Sequence, residues 1–224
     1  MLKGIVFDLD HTLFDRYKTF ETISYPLYEK LREQLTVSRA EFYRVMCDAD
    51  KRYNHYGWAA MDAYAESLSV FKAPYTKGAF TKAVTDEFSF YAEPFPFVRD
   101  LLITLRLRYK VALITNGPSE RQRSKLRLLG LDDKFDFIYI SGEHGFEKPD
   151  LTPFYRTAEA LGVAPQELVY VGDHPVFDVD ASRRAGYTPV WVKTIPDWQF
   201  DALKRADFEI DTVAELPEIL EKLD

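Results

Sequence analysis

Gly4-Ile5-Val6-Phe7-Asp8-Leu9-Asp10-His11-Thr12 is the stretch that decides the reading of this chain. A short run of uncharged residues hands over to two aspartates separated by one leucine. Near-continuous apolarity, without alternation, predicts a strand buried on both faces, as in a parallel sheet. The same pattern recurs at residues 110–114, 137–140, 168–171 and 189–192, with a weaker run at 208–210. Helical stretches lie between the runs. Residues 120–129 end at Gly130, 152–161 at Gly162 and 178–185 at Gly186, and glycine closes helices because it accepts the left-handed backbone. Alternating strand and helix predicts a doubly wound, Rossmann-like α/β core with a parallel sheet.

Residues 16–93 break the alternation. They carry no convincing strand and read as helices at 19–34, 39–54, 62–71 and 77–89. Ser38 with Glu41 three residues later forms a capping-box pattern for the second. The expectation is an inserted all-α helical bundle at 16–93, between the two parts of an α/β core at 1–15 and 94–224. About half of the aromatic residues fall in the insertion, among them Tyr25, Tyr28, Phe42, Tyr43, Tyr53, Tyr56 and Tyr64. Most are expected to form the core of the bundle.

Composition narrows the function classes. The 224 residues are 46% hydrophobic and 29% charged, enough apolar material for a real core. A formal charge of −7 excludes a general binder of nucleic-acid polymers, which needs excess Lys and Arg. The single cysteine, Cys47, rules out an internal disulfide or a cysteine-rich metal site. It sits in an apolar helical stretch and reads as a buried structural thiol. No apolar run approaches the roughly 18 residues of a membrane span, and the amino-terminal run is too short for a signal segment. A cytoplasmic enzyme is expected, with monomer and homodimer both open.

In doubly wound sheets, ligands bind beyond the carboxyl ends of the strands. There the runs deliver Asp8 and Asp10, then Thr115-Asn116-Gly117, Lys148-Pro149-Asp150, and Gly172-Asp173 with Asp178. Singly, each has a bland reading. Asp8 and Asp10 suit a turn, Lys148 a solvated surface, and Asp173 and Asp178 a helix cap. Together they are hard to explain by chance, since D-x-D-x-T alone arises at a given position on the order of once in ten thousand. Asp8, Asp10 and Asp173 are expected to converge, with Lys148 the only evident cation. Two carboxylates ~4 Å apart repel by roughly 4 kcal/mol at an effective dielectric near 20. A hard divalent cation is therefore expected, and oxygen ligands beside a phosphate favour Mg²⁺.

These elements resemble the haloacid dehalogenase (HAD) superfamily of phosphohydrolases, essentially over the whole chain. Residues 16–93 resemble that family's C1 cap. The resemblance implies that Asp8 attacks phosphorus to give an aspartyl phosphate, and that Asp10 protonates the leaving oxygen and later activates water. It implies that Asp8, the backbone carbonyl of Asp10, and Asp173 hold Mg²⁺. Thr115 and the amide of Asn116 would grip the phosphoryl oxygens. Lys148 would neutralise charge on nucleophile and phosphate, with Asp178 in a supporting role. Ile114-Thr115-Asn116-Gly117, Gln122, Lys125-Leu126 and Gly130-Leu131 resemble the pyrimidine 5′-nucleotidase and N-acylneuraminate-9-phosphatase branch. His11 is given no catalytic role.

Asp10 argues against a dehalogenase, because a halide needs no protonation. A phosphomutase and a sugar-phosphate phosphatase of the same superfamily remain as alternatives. From another class, a non-enzymatic phospho-aspartate signalling switch shares the Asp, Thr and Lys, but would be roughly half this length. The expected partner is a small phosphorylated metabolite. Tyr17, His55 and Trp58 are the candidates to present a flat face to a nucleoside 5′-monophosphate.

Overall fold

The computed structural model describes residues 1–224 except 54–57, 89, 195–197, 199 and 224, and the side chains of 53 and 58. The chain divides into two compact units, one made of residues 1–15 and 94–224 and the other of 16–93.

The first unit is built on a six-stranded sheet. In chain order its strands are β1 (Gly4–Phe7), β4 (Lys110–Thr115), β5 (Phe137–Ile140), β6 (Leu168–Gly172), β7 (Thr188–Val192) and β8 (Phe208–Ile210). A separate two-stranded sheet joins β2 (Phe14–Asp15) and β3 (Glu93–Pro94). The large sheet runs β5-β4-β1-β6-β7-β8, with each neighbouring pair parallel. The order reverses direction at β1, and that reversal opens a crevice at the carboxyl ends of β1, β4 and β6. Phe7 pairs with Leu113 on one side and Val171 on the other, so Asp8 emerges level with the ends of both neighbours.

Burial follows the sequence pattern. Ile5, Val6 and Phe7 are fully buried, as are Val111 to Ile114 and Val169 to Val171. Val6, Ile114 and Tyr170 join Phe154, Ala158 and Leu161 in one apolar cluster. The last three are spaced three or four apart on α8 (Thr152–Leu161), so one stripe of that helix covers the sheet. Helices α6 (Ser119–Leu129) and α8 end at Gly130 and Gly162, each at φ 65°. The short α7 (Ser141–His144) follows β5 directly, and α10 (Leu216–Leu220) lies near the carboxyl end. The structure departs from the sequence expectation here. Helix α5 (Val98–Leu105), like α7 and α10, is not among the helices expected. The segment expected as one helix at 178–185 is a π-helical turn over Pro175–Asp180 followed by the short α9 (Ala181–Arg184).

The second unit is helical: α1 (Arg16–Leu31), α2 (Arg39–Tyr53), α3 (Trp58–Ser67) and α4 (Ala79–Phe88). The third helix begins four residues earlier than the apolar spacing predicts and stops at Ser67, before Phe71. At the start of α2 the Glu41 amide donates to Ser38 Oγ at 3.3 Å. The core is phenylalanine and aliphatic, with Phe20, Ile23, Leu27, Phe42, Met46, Phe80 and Val84 all buried. The expectation that most of the named aromatics form this core fails. Among those described, Phe42 is buried while Tyr25 is 61% exposed and Tyr28, Tyr43 and Tyr64 are half-buried. A buried phenol needs a hydrogen-bond partner, which makes tyrosine a less ready core residue than phenylalanine. Cys47 is half-buried instead of buried, and burial pushes its thiol upward, away from nucleophilic character.

Asp62 braces this bundle. Its buried carboxylate accepts from Tyr75 Oη at 2.7 Å, from the Gly78 amide at 2.6 Å and from the Thr81 amide at 3.3 Å, tying α3 to the start of α4. Asp62→Ala strands those donors and should lower stability by about 1–3 kcal/mol. Urea denaturation is the check, and a change under about 0.5 kcal/mol would show that α4 is held by apolar packing alone.

Candidate active site

Asp8 leaves β1 with its amide donating to Val171 O at 2.9 Å, which fixes the backbone between the two central strands. The chain then turns sharply. The amides of Thr12 and Leu13 both donate to Leu9 O, at 3.3 and 3.0 Å. His11 takes a left-handed backbone at φ 63° and is buried. That conformation is unfavourable for a side chain by about 1–2 kcal/mol, and the hydrogen-bonded turn imposes it.

The centre of the site is the Lys148 ammonium, 3% exposed. It donates to Asp8 Oδ1 at 2.6 Å, to Asp178 Oδ1 at 2.6 Å and to Tyr170 Oη at 2.9 Å. An ammonium has three protons, and these acceptors use them all. The Tyr170 hydroxyl, 3.1 Å from Asp178 Oδ1, can donate its own proton there. Asp178 Oδ2 takes the His174 amide at 2.8 Å. His174 in turn caps the turn that carries Asp178, its Nδ1 accepting from the amides of Val176 and Phe177 at 3.1 and 3.2 Å. Burial alone would lower Lys148, but the charges of Asp178 and Asp8 outweigh it and hold the ammonium above its ordinary value.

One cation shared among several anions leaves them under-compensated. Burial pushes Asp8 up to about 7 from 3.8; Lys148 opposes this, and the charges of Asp178 and Asp10 add to it. Asp173 is raised well above its ordinary value by burial, then by Asp178 and Asp8. Tyr170 is raised for the same reasons and stays a neutral phenol. Asp173 is steered by the Thr194 hydroxyl, 3.1 Å from its Oδ2, and by the Trp191 indole, 2.7 Å from its backbone oxygen.

Carboxylate oxygens of Asp8, Asp173 and Asp178 lie within 4.8 Å of one another, and among the described residues this group could hold a metal ion. The side chain of Asp10 stands apart from it. Lys125 Nζ contacts both Asp10 oxygens at 2.7 Å, and Gln122 Nε2 reaches Oδ2 at 3.2 Å. Lys148 is therefore not the only cation here. Lys125, which enters the sequence reading only within a family resemblance, is 5% exposed, and its pairing with Asp10 is not foreseen because a lysine on a strongly polar helix reads as solvated. With four aspartates (−4) and two lysines (+2) the formal sum is −2, which one divalent cation neutralises. The all-oxygen donor set of the buried trio fits a hard ion such as Mg²⁺.

Thr115 ends β4, with its hydroxyl engaged by the Gln122 amide. The Asn116 side chain does something the sequence did not suggest. It donates to Lys148 O at 2.8 Å and accepts from Lys148 N at 2.9 Å, clamping the lysine loop to the end of β4. Ser141 and Gly142 brace the same turn through Gly117 N to Ser141 Oγ at 2.9 Å and Gly142 N to Gly117 O at 3.1 Å. Tyr170 was also missed, since a tyrosine in an apolar run reads as packing. Of the expected substrate contacts, Tyr17 is half-buried with the Lys51 ammonium 5.0 Å over its ring. His55 and the Trp58 side chain lie outside the described residues.

Residues 5–192 match the family model described as haloacid dehalogenase-like hydrolase. The chain is 30% identical, over all of its length and 99% of the relative's, to glyceraldehyde 3-phosphate phosphatase of Methanopyrus kandleri. It is 31% identical to N-acylneuraminate-9-phosphatase of Rattus norvegicus over 57% of this chain and 52% of that one. Among solved structures, a HAD phosphatase from Thermococcus onnurineus superposes with a TM-score of 0.65 at 29% identity, covering 98% of each chain.

Gly172 is the residue that lets Asp178 approach. A Cβ there would lie 2.5 Å from Asp178 Cγ and 2.6 Å from its Oδ2. Gly172→Ala should cost about 1–3 kcal/mol through the forced displacement. A guanidinium denaturation midpoint unchanged from wild type would mean that Asp178 is not held where the geometry has it.

Proposed function

The chain belongs to the haloacid dehalogenase-like hydrolases, and from that premise we propose that it is a phosphomonoesterase using Asp8 as its nucleophile. The observation that carries the reading is the Lys148 ammonium gripping Asp8 and Asp178 at 2.6 Å each, beside the Asp10–Lys125 pair. In the first step an Asp8 oxygen bonds to phosphorus, the bond from phosphorus to the leaving oxygen breaks, and protonated Asp10 gives its proton to that oxygen. In the second, the Asp10 carboxylate takes a proton from water, the water oxygen bonds to phosphorus, and the acyl-phosphate bond breaks to free inorganic phosphate and Asp8. Thr115 and the Asn116 amide hold the phosphoryl oxygens, and Lys148 offsets charge on both nucleophile and phosphate.

Asp8, Asp173 and the backbone carbonyl of Asp10 are the groups we assign to hold Mg²⁺. Asp178 supports them, because its oxygens already serve Lys148, Tyr170 and the His174 amide. When bound, the ion supplies positive charge against the nucleophile and the transferring phosphoryl group. Asp10 separates this chemistry from dehalogenation, and membership of a hydrolase family displaces the non-enzymatic switch. A phosphomutase stays as the alternative within the superfamily.

Substrate selection is assigned to the helical unit acting as a cap. The relatedness to a glyceraldehyde 3-phosphate phosphatase extends over the whole chain, helical unit included, which supports a small phosphorylated metabolite of triose size. The nucleoside-monophosphate reading has no such support, since the relatedness to N-acylneuraminate-9-phosphatase covers 57% of the chain and that name carries no nucleotide. Steady-state kcat/KM for glyceraldehyde 3-phosphate, glycerol phosphate, glucose 6-phosphate and UMP should place the three-carbon esters first. A lead for UMP would reverse the choice of substrate and leave the phosphatase reading intact.

Asp8→Asn should keep the fold and lower kcat on the order of 10⁴-fold or more. Retention of more than about one per cent of wild-type turnover would exclude the covalent route. The metal has a readout apart from activity. Asp8 has a folded pKa above its unfolded value, so its contribution to stability is present below pH 4 and lost as pH rises towards 7. Above that range the metal-free protein carries buried, uncompensated carboxylates that a cation relieves. Mg²⁺ should therefore raise Tm more at pH 8 than at pH 5. An equal rise at both would detach the ion from this cluster.

A further inference from the structure

Gln122 and Lys125 sit three residues apart on α6, hence on one face of it. Leu126 and Leu129 on the same helix are buried, as a core-facing stripe requires, and Ser119, Glu120, Arg121, Arg123, Ser124 and Arg127 are not. The anomaly is that Gln122, 2% exposed, and Lys125, 5% exposed, are buried as well. Burying an amide and an ammonium is unfavourable unless each meets a specific partner. Lys125 meets both oxygens of Asp10 at 2.7 Å, and its ammonium is 5.8 Å from the Phe14 ring centroid. The Gln122 amide nitrogen contacts three acceptors: Asp10 Oδ2 at 3.2 Å, Asn116 O at 2.9 Å and Thr115 Oγ1. Gly117 packs against the same side chain, where a Cβ would stand 3.4 Å from Gln122 Cγ and Cδ.

From this juxtaposition we propose that Gln122 and Lys125 are positioning residues for Asp10, holding its carboxyl in one orientation and tying it to the Thr115 turn. The inference rests on the acid–base role given to Asp10 above. Asp10 must face the leaving oxygen in one step and water in the next. Its side chain is 27% exposed, against 9% for Asp8 and 2% for Asp178, so it keeps an open side. A partly exposed carboxylate without fixed partners turns freely about its side-chain bonds. Contact with both its oxygens from the buried Lys125, reinforced by the Gln122 amide, removes that freedom. Because the same amide touches Thr115 and Asn116, the group that moves the proton and the group that grips the phosphate keep a fixed separation.

The test compares Lys125→Met, Gln122→Leu and Asp10→Asn with wild type on an alkyl phosphate and on p-nitrophenyl phosphate. An alkoxide leaves only with a proton from Asp10, whereas p-nitrophenolate leaves without one. Lys125→Met should lower kcat for glycerol phosphate on the order of 10²-fold with KM within a few-fold. With p-nitrophenyl phosphate it should show a burst of nitrophenolate, since hydrolysis of the intermediate becomes the slow step. Lys125→Arg, which keeps a cation within reach, should recover part of the alkyl-phosphate rate. A general loss of structure would depress both substrates alike and give no burst, and that outcome overturns the inference, as does an unchanged kcat for both. If Lys125→Met fails to fold by circular dichroism, Gln122→Leu carries the same comparison, with KM also rising because Thr115 loses its partner. Asp10→Asn separates the two levels of the argument. Should it show neither burst nor leaving-group selectivity, the acid–base reading fails; should it show both while the α6 variants show neither, only the positioning role fails.

Discussion

Everything at the sheet edge depends on one buried ammonium. Lys148 has three protons and spends them on Asp8, Asp178 and Tyr170. Asp8 comes from β1, Tyr170 and Asp178 from β6 and the turn after it, and Lys148 from the loop beyond β5. The ammonium thus fastens together segments that the parallel register only brings level. Removing one partner from such a buried cluster costs far more than an exposed pair would, since the remaining charges stay out of water. Much of the surrounding architecture reads as support for this contact. The absent Cβ at Gly172 admits Asp178, the Asn116 side chain clamps the backbone of Lys148, and His174 caps the turn that presents Asp178.

Two aspartates separated by one residue occupy different environments, and that difference is what lets them take different tasks. Asp8 is buried, held by a lysine that it shares, and raised to about 7. Asp10 lies against its own lysine and remains partly open. A nucleophile benefits from a dry, fixed position, and a proton carrier needs access to both leaving group and water. The left-handed turn at His11 follows immediately, so the chain changes direction just after the second carboxylate has been delivered.

The α/β fold was legible from the apolar runs because strands buried on both faces leave an unmistakable sequence pattern. Asp8, Asp10 and Asp173 are expected to converge beside Lys148 because each follows such a run. The structure groups Asp8 and Asp173 with Asp178 and joins Asp8 and Asp178 to Lys148, while the Asp10 side chain lies against Lys125. Gln122 and Lys125 enter the sequence reading only within a family resemblance and Tyr170 has no role in it, and their contacts share a reason for being hidden. They join residues remote in sequence, Asp10 lying 115 residues from Lys125 and Lys148 lying 22 from Tyr170. Periodicity cannot reveal a buried lysine on a polar helix. The tyrosines of the helical unit misled for the opposite reason, since aromatic character suggests full burial while the hydroxyl leaves most of these rings only half-buried.

The central claim is that phosphorus becomes bonded to Asp8. The direct measurement is peptide mapping by mass spectrometry after rapid acid quench of Asp10→Asn turning over p-nitrophenyl phosphate. The claim predicts a phosphoryl group on the peptide that contains Asp8, formed at that residue and lost on treatment with hydroxylamine. No adduct under conditions of measurable turnover, or an adduct on any other residue, would contradict it.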